Sequence, residues 1–437
     1  MSGERPRTAV VGGGVAGLTA AYVLGRAHGV TLYEAGERLG GHAHTHDVPS
    51  ADGRVHHVDS GFIVHNGRTY PHLLRLFGEL GVATQESEMS MSVRCDGCGL
   101  EYAGARGLGG LFARPRNALS PRYLRLLTEV PVFHRRARAL LAEAEAESGD
   151  GGEGGEAGRG GSGPTLGEFL AAGGFSPYFV SHFMAPVVSA VWSCDAGTAM
   201  RYPARYLFRF MAHHGLLSVK GSPVWRTVTG GSRAYVERVA KHVDAVRTAT
   251  PVRSVRRHSG GVEIGTEDGA VAHYDSVVIA VHPDQALRLL ADPTDDERRV
   301  LGAFRYSRNP TQLHTDTGVL PRARRARASW NFAMPSCDAG SGGVRVSYDM
   351  NRLQRLDAPE TYVVTLNGAD RVDQDRVLAR MVYEHPVYTP ESVAAQRLLP
   401  TLAGPVTAYA GAYHGWGFHE DGCRSGVDAA AALGVTW

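Results

Sequence analysis

One stretch near the start of the chain constrains the fold more than any other. An apolar run at 7–11 leads directly into Gly12, Gly14 and Gly17, which form the pattern G-x-G-x-x-G, and a helix-like segment follows. The first glycine allows a tight turn, the second lets the backbone approach a pyrophosphate, and the third lets the helix pack close to the sheet. Glu34 ends a second apolar run, where a carboxylate would bind ribose hydroxyls. The stretch therefore predicts a βαβ dinucleotide site, and Glu34 favours FAD or NAD over a 2′-phosphorylated dinucleotide.

Two further glycine-rich segments bear on the choice of dinucleotide. Arg38 is followed by the pair Gly40-Gly41, and the chain closes on a glycine- and aromatic-rich stretch at 409–426. A second paired-glycine loop suits the close approach of a large cofactor, and a simple NAD domain does not need one. The closing stretch reads as a strand, a loop and a short helix over 426–433. It could face a cofactor, or it could be a glycine-rich turn without a ligand.

Composition and charge exclude several classes of protein. The 437 residues are 43% apolar and 21% charged, which is typical of a globular protein with more than one domain. The net charge of +2 selects no nucleic acid partner. Five cysteines are too few for a disulfide framework, and no apolar run approaches the roughly 20 residues that span a bilayer. The strand-like run begins by Thr8, which leaves no room for a signal peptide. We therefore expect a cytoplasmic protein.

These motifs carry a resemblance to a known family. The chain resembles the flavin-containing amine oxidase and phytoene desaturase superfamily, in particular a bacterial branch of predicted NAD/FAD-binding, amine-oxidase-like proteins. The resemblance covers most of the chain, and its specific patches lie at 10–18, 38–45, 58–63, 230–232, 251–252, 350–353 and 411–426. It implies an α/β fold in which a Rossmann-like FAD-binding domain, built from separated segments, carries an inserted α+β substrate domain.

The resemblance also implies roles for individual residues. The cofactor-binding positions would be Gly12, Gly14, Val15, Ala16, Gly17, Glu34, Ala35, Arg38, Gly40, Gly41, His42, Gly61, Phe62, Val252, Gly411, Asp421, Gly422 and Cys423. Residues 421–423 would form a turn near the flavin ring. The candidates for catalysis lie in the same closing stretch and are Tyr413, His414, Trp416 and His419. Two positions depart from the family pattern, since His42 stands where arginine is common and Ala412 where an acidic residue is common.

The predicted domains interleave along the chain. Residues 1–66, 216–290 and 400–437 are expected to form the FAD-binding domain, and residues 67–215 and 291–399 the substrate domain. The polar, glycine-rich stretch at 148–163 is expected to be a flexible loop within the substrate domain. Local patterns predict a helix over 70–80, a hairpin over 89–102, a helix over 121–145 and a strand meander over 252–281.

The function expected from the resemblance is an FAD-dependent oxidoreductase. It would take hydride from a C–H bond of a hydrophobic small molecule onto flavin N5, and oxygen or a separate acceptor would reoxidise the flavin. Three alternatives remain open: a flavin-dependent isomerase or cyclase, a non-catalytic flavin- or lipid-binding protein, and an NAD enzyme. The arginine-rich stretch at 114–141 is either a solvated helix face or a surface for transient contact with a membrane or an acyl carrier.

Histidines and cysteines raise the question of metal. His42, His44 and His46 alternate, but the paired-glycine loop before them favours a cofactor-lining role, and a covalent histidyl–flavin link at His42 or His44 stays open. Cys95 and Cys98 form a lone C-x-x-C, and zinc needs a second ligand pair that is not found at the usual spacing. We expect no metal site, with the two thiols as neighbours across a hairpin or as a redox dithiol.

Overall fold

The computed structural model describes residues 5–148, 163–218, 221–338 and 344–437, so 149–162 of the expected loop at 148–163 lie outside it. The strands in these ranges are β1 (Arg7–Val11), β2 (Gly29–Tyr33), β3 (Thr45–Pro49), β4 (Val55–Asp59), β5 (Val64–Asn66), β6 (Thr84–Glu86), β7 (Met91–Cys95), β8 (Glu101–Ala103), β9 (Trp225–Val228), β10 (Ala245–Arg247), β11 (Val252–His258), β12 (Gly261–Thr266), β13 (Val271–Tyr274), β14 (Ser276–Ile279), β15 (Arg305–His314), β16 (Trp330–Met334), β17 (Val346–Asp349), β18 (Val363–Leu366), β19 (Val377–Val387) and β20 (Thr407–Tyr409). The helices are α1 (Val15–Leu24), α2 (Pro71–Leu80), α3 (Gly107–Leu111), α4 (Pro121–Ser148), α5 (Leu166–Ala172), α6 (Pro177–Phe179), α7 (Ala185–Trp192), α8 (Ala196–Met200), α9 (Ala204–His213), α10 (Arg233–Ala240), α11 (Pro283–Leu289), α12 (Asp295–Leu301), α13 (Met350–Leu353), α14 (Pro390–Gln396) and α15 (His419–Ala432).

A parallel sheet with the order β10-β2-β1-β14-β20 forms the first layer of the fold. Its central strands are continuous apolar runs because both faces of the sheet are covered, as in other parallel sheets. Helices α1 and α15 pack together on one face, and the antiparallel meander β11-β12-β13 contributes to the core on the other. The strands of this sheet come from 7–33, 245–279 and 407–409, so three separated stretches of chain build one Rossmann-like unit.

A mixed sheet with the order β19-β15-β18-β17-β16-β7-β8 forms the second layer. All its pairings are antiparallel except that between β16 and β7. Helices α4 to α9 bury an aromatic core beside this sheet, with Phe133, Phe179 and Phe208 fully buried. The α/β class and the division into a parallel-sheet unit and an α+β unit agree with the sequence expectation.

Several local predictions are confirmed and others need correction. Helix α2, the β7–β8 hairpin and helix α4 lie where the patterns placed them. The last strand of the predicted meander, at 276–279, instead joins the parallel sheet beside β1. The closing helix begins at His419 and not at Gly426, so residues 421–423 lie in a helical turn and not in a loop.

The packing of α2 bears on where the domains divide. Leu73, Leu76 and Phe77 of α2 share one core with Leu18 of α1, although the sequence assigned 67–215 to the substrate domain. The predicted domain boundaries otherwise stay a prediction. No helix in the described part of the chain is long and apolar enough to cross a membrane.

Candidate functional site

The first glycine loop turns sharply between β1 and α1. Gly12 has a φ of 110°, and a Cβ there would collide with the carbonyl oxygen of Ala280. A Cβ on Gly17 would collide with the carbonyl oxygen of Gly12, so this glycine lets the helix close onto the turn. No atom lies within 4 Å of the place where a Cβ of Gly14 would point, and no side chain caps the helix. The N-terminus of α1, with Val15 and Ala16 in its first turn, therefore faces open space that suits an anion.

Glu34 lies directly after β2 and turns back toward this loop. Its two carboxylate oxygens accept hydrogen bonds of 2.8 Å from the backbone N–H groups of Gly13 and Gly36. The N–H of Thr250 donates to the Glu34 carbonyl, which brings the start of β11 at Val252 alongside Glu34 and Ala35. This edge of the parallel sheet is where the dinucleotide-binding fold places a ribose carboxylate.

The paired-glycine loop packs onto the first loop. Gly40 donates to the Gly13 carbonyl at 2.7 Å, and a Cβ on Gly41 would lie only 3.2 Å from Gly14 Cα. Arg38 donates to the carbonyls of Gly41 and Ala43 at 2.7 and 3.1 Å, so its guanidinium holds the loop in shape. Burial lowers the pKa of Arg38. The two glycine loops therefore form one continuous backbone surface, which we call the glycine cradle (residues 12–17 and 40–42).

Helix α15 supports the cradle from behind. A Cβ on Gly422 would lie 2.7 Å from Val15 Cγ1, and a Cβ on Gly426 would collide with the Ala16 carbonyl. Cys423 is buried between the two helices, with Sγ 3.4 Å from Thr19 Oγ1. The predicted positions Gly422 and Cys423 thus serve the contact between α1 and α15.

Gly411 and Asp421 lie near the N-terminus of α15. Gly411 N–H donates to Ser425 Oγ at 2.9 Å, and Asp421 Oδ2 accepts from the Phe418 N–H at 3.0 Å. Asp421 therefore caps the first turn of α15. Burial raises its pKa to about 6.

A cluster of aromatic and imidazole side chains adjoins the cradle. The rings of Tyr383 and His385 on β19 lie 4.9 and 5.3 Å from the ring of His42. Phe62 stacks on His419 at 3.7 Å, and Phe62 N–H donates to the His42 carbonyl. We call these five residues the histidine chamber.

Other contacts fix the chamber's geometry. A Cβ on Gly61 would collide with the His42 carbonyl, which explains the glycine at that position. His419 Nε2 lies 2.9 Å from the Tyr235 hydroxyl. The Tyr383 hydroxyl lies 3.1 Å from His44 Nδ1 and 2.7 Å from Ser60 Oγ. His44 therefore shares a polar network with the chamber, and His42 lies in a turn before β3.

The imidazoles of the chamber are held neutral. Burial lowers the pKa of His385 to about 4 and that of His419 to about 3. Burial also lowers the pKa of His42 well below its ordinary value, and the neighbouring His385 acts in the same direction. His42 Nε2 is buried and has no hydrogen-bond partner among the described residues. The side chains of the chamber are thus uncharged near pH 7, and His42 Nε2 is left without a hydrogen-bond partner among the described residues.

The remaining candidates for catalysis are dispersed. Tyr413 is buried in the core below the parallel sheet, against Phe304. Trp416 joins the aromatic core of the helical region, with its ring 5.8 Å from Phe210. His414 has an unpaired Nε2, and burial lowers its pKa to about 3. Of the four, the structure brings only His419 into the histidine chamber.

Sequence reasoning missed Tyr383 and His385. They lie on β19 in the mixed sheet, more than 300 positions from the glycine loops. The available signal was their alternation, which puts both side chains on one face of a strand. Nothing in that signal indicates which other element the face meets.

The chain is similar in sequence to proteins of a known family. Residues 15–321 match the sequence profile of the family described as flavin containing amine oxidoreductase. The carotenoid phi-ring synthase of Streptomyces griseus is 31% identical over 303 residues, which cover 67% of this chain and 55% of that protein. The coproporphyrinogen III oxidase of Mycobacterium leprae is 26% identical over 301 residues, covering 64% and 60%. The chain thus spans somewhat more than half the length of each of these relatives.

A solved structure gives the same fold. The fatty acid isomerase from P. acnes that produces CLA superposes with a TM-score of 0.70 at 18% identity, covering 98% of this chain and 99% of that one. At this identity the likeness supports the fold alone.

Proposed function

Because this chain belongs to the flavin-containing amine oxidoreductase family, we propose that it is an FAD-dependent oxidoreductase that removes hydride from a C–H bond of a hydrophobic small molecule. The observation that carries the proposal is the glycine cradle beside the histidine chamber. The cradle suits a pyrophosphate and the chamber suits an uncharged ring system. Their adjacency is what a dinucleotide with a redox-active ring requires.

The cradle and the residues beside it fit FAD in three respects. The open space at Gly14 leaves room for phosphate oxygens at the N-terminus of α1. Glu34 stands where adenosine ribose hydroxyls would bind, and Val252 begins β11, which the Thr250–Glu34 hydrogen bond brings alongside. His42 Nε2 is a buried polar atom that still needs a partner, and a flavin ring edge would supply one.

The charge of the chamber argues for a hydrophobic substrate. Its walls are the rings of Phe62 and Tyr383 and three imidazoles that stay neutral near pH 7. A cationic amine would need a compensating carboxylate, since an unpaired buried charge is costly. Asp421 is committed to capping α15, so it is a poor counter-ion. The acceptor that reoxidises the flavin would be oxygen or a separate protein or small molecule.

When bound, the flavin supplies the hydride acceptor, and the protein supplies placement and dryness. Phe62 and His419 would keep water out by stacking on each other. His42 would donate to or accept from the polar edge of the ring through Nε2. The Tyr383 hydroxyl lies within hydrogen-bond distance of His44 and Ser60, and Ser60 Oγ lies 2.8 Å from His46 Nε2. A chain of hydroxyl and imidazole groups therefore leads from the chamber to His46.

The first test is the visible absorption spectrum of the purified chain, before and after heat denaturation. We expect oxidised flavin bands and FAD in the supernatant. Bands that remain with the precipitate would show a covalent link and direct mutation to His42 and His44. A colourless chain that takes up no added FAD would contradict the proposal and favour an NAD enzyme.

The second test separates oxidation from isomerisation. Anaerobic mixing with candidate hydrophobic substrates should bleach the flavin and give a product two hydrogens lighter. A product of unchanged mass, formed only with reduced flavin, would instead support an isomerase or a cyclase. Binding of substrates with no turnover and no bleaching would support a non-catalytic protein.

A further inference from the structure

A second cluster of chemically reactive side chains lies away from the glycine cradle. Cys95, Cys98, His182 and Cys337 place one ligand atom each so that all four atoms lie within 4.8 Å of one another. We propose that these four residues bind a single zinc ion in a tetrahedral Cys3His site. The proposal does not depend on the flavin, since the cluster shares no residue with the cradle or the chamber.

Two of the distances match the edges of a zinc tetrahedron. Bonds of about 2.3 Å from zinc to sulfur and about 2.0 Å to nitrogen require S···S edges of about 3.8 Å and S···N edges of about 3.5 Å. The structure has 3.8 Å between Cys95 Sγ and Cys337 Sγ and 3.5 Å between Cys98 Sγ and His182 Nε2. An iron–sulfur cluster would hold its thiolates much further apart, because several metal and sulfide atoms lie between them.

The fold brings the four ligands together from three places. Cys95 ends β7, and Cys98 lies in the turn of the β7–β8 hairpin. Cys337 follows β16, which pairs in parallel with β7 so that both strands end at one edge of the sheet. Gly97 allows close contact there, since a Cβ on it would lie 3.0 Å from Cys337 N. The sequence showed no second ligand pair because His182 and Cys337 are 84 and 242 positions away from their partners in the cluster.

His182 is prepared for ligation. It lies in a π-helical turn, Val180–Met184, and such turns are frequent at functional sites. Its Nδ1 lies 2.7 Å from Ser181 Oγ, which leaves Nε2 for the metal, as the hydrogen-bond partners of ligating histidines do in zinc proteins. Tyr178 stacks on the ring at 3.9 Å and places its hydroxyl 3.5 Å from Cys98 Sγ.

Access and burial also suit a structural metal site. Cys95 and His182 are buried, whereas Cys98 and Cys337 reach the surface. An open cleft of about 700 Å³, lined in part by His182, Cys337 and Tyr178, leads to the cluster and would admit the ion. A bound zinc would tie the β7–β8 hairpin and the end of β16 to the helix that carries His182.

The rival interpretation is a redox pair of thiols. All five cysteines of the chain are free, and the 3.8 Å between Cys95 and Cys337 is well beyond the roughly 2.05 Å of a disulfide bond. A dithiol also gives no reason for an imidazole nitrogen to complete the tetrahedron. Soft thiolates with one imidazole are instead the ligands that zinc prefers.

The test measures metal in the 437-residue chain, purified under reducing conditions without a chelator. Elemental analysis should find close to one zinc per chain, and a chain loaded with Co²⁺ should show the visible bands of tetrahedral thiolate cobalt. Cys98→Ser and Cys337→Ser should each lose most of the zinc, and the conservative Cys337→His should retain it. If a serine variant fails to fold, stepwise thiol modification of the wild-type protein should release zinc as the thiols react.

The control uses a second set of side chains that could bind a metal, on strands β11 to β13. The ligand atoms of His258, Glu263 and His273 also lie within 4.8 Å of one another. A His258→Gln/His273→Gln double variant should keep its zinc, because the proposed site uses none of these residues. Zinc that is lost in this control and kept in the cysteine variants would overturn the proposal. So would a reduced wild-type chain that takes up no zinc or cobalt, or a metal-free protein with a disulfide between Cys95 and either partner.

Discussion

Lowering the pH from 7 to 5 is expected to unfold the protein. The reason is a set of deeply placed imidazoles that the fold keeps neutral. Burial lowers the pKa of His65, His214, His314 and His385 to about 4 and that of His414 and His419 to about 3.

The sign follows from proton linkage. The unfolded chain binds these protons near pH 6.5, whereas the folded chain binds them only below about pH 4. These histidines therefore leave the stability undiminished above about pH 6.5, and they lower it progressively as the pH drops toward 4. At pH 5 each of these imidazoles lowers the free energy of unfolding by about 2 kcal/mol, so six of them lower it by an amount on the order of 10 kcal/mol. That loss is comparable with the roughly 5–15 kcal/mol that stabilises a typical protein.

Buried carboxyls act in the opposite direction, because burial raises the pKa of Asp59, Asp349 and Asp421. Burial raises the pKa of Asp59 and of Asp421 to about 6, so the folded state binds their protons more tightly than the unfolded state. Their contribution to stability grows as the pH falls from 6 to 4. Such carboxyls offset only part of the effect of six histidines.

The measurement is the free energy of unfolding by denaturant at several pH values, with and without added FAD. The slope against pH gives the number of protons taken up on unfolding. His314 lies in the mixed sheet, at the end of β15. The substitution His314→Gln should reduce the number of protons taken up by about one. The matched control is His258→Gln at an exposed position, which leaves the number of buried imidazoles unchanged. A flat profile between pH 7 and pH 5 would contradict the prediction.

Replacing Gly14 with alanine should remove most of the bound flavin while leaving the fold intact. Gly14 has φ and ψ of −75° and 179°, which alanine adopts readily, and no atom lies within 4 Å of the added methyl group. The methyl group would instead occupy the space where we place the pyrophosphate. Overpacking of this kind costs about 1–3 kcal/mol, which corresponds to roughly 5- to 150-fold weaker binding.

Two other glycines sharpen this test. Gly78→Ala, in an exposed turn of α2 with open space around it, should raise stability by about 0.5–1 kcal/mol and leave flavin binding unchanged. Gly17→Ala should destabilise the fold itself, because its methyl group collides with the Gly12 carbonyl. Flavin titration together with denaturant unfolding separates the two effects. A Gly14→Ala protein that binds FAD as tightly as the wild type would show that the cradle does not hold the pyrophosphate.

The amino-acid sequence alone determined the parts of this protein that depend on local geometry. The G-x-G-x-x-G loop, Glu34 and the paired glycines needed only their neighbours along the chain to be interpreted, because a turn, a helix start and a strand end are local structures. The same holds for α2, α4 and the β7–β8 hairpin. These elements were enough to predict the α/β class and the family.

Only the tertiary structure decided which distant side chains meet. Strand β19 brings Tyr383 and His385 to His42, and the start of α15 brings His419 to Phe62. The parallel pairing of β7 with β16 likewise gives the lone C-x-x-C its third thiol. No periodicity records such pairings, because they depend on sheet order and helix packing over hundreds of residues. Burial also depends on the tertiary structure, so the neutral state of the histidines follows from the fold and not from the local sequence.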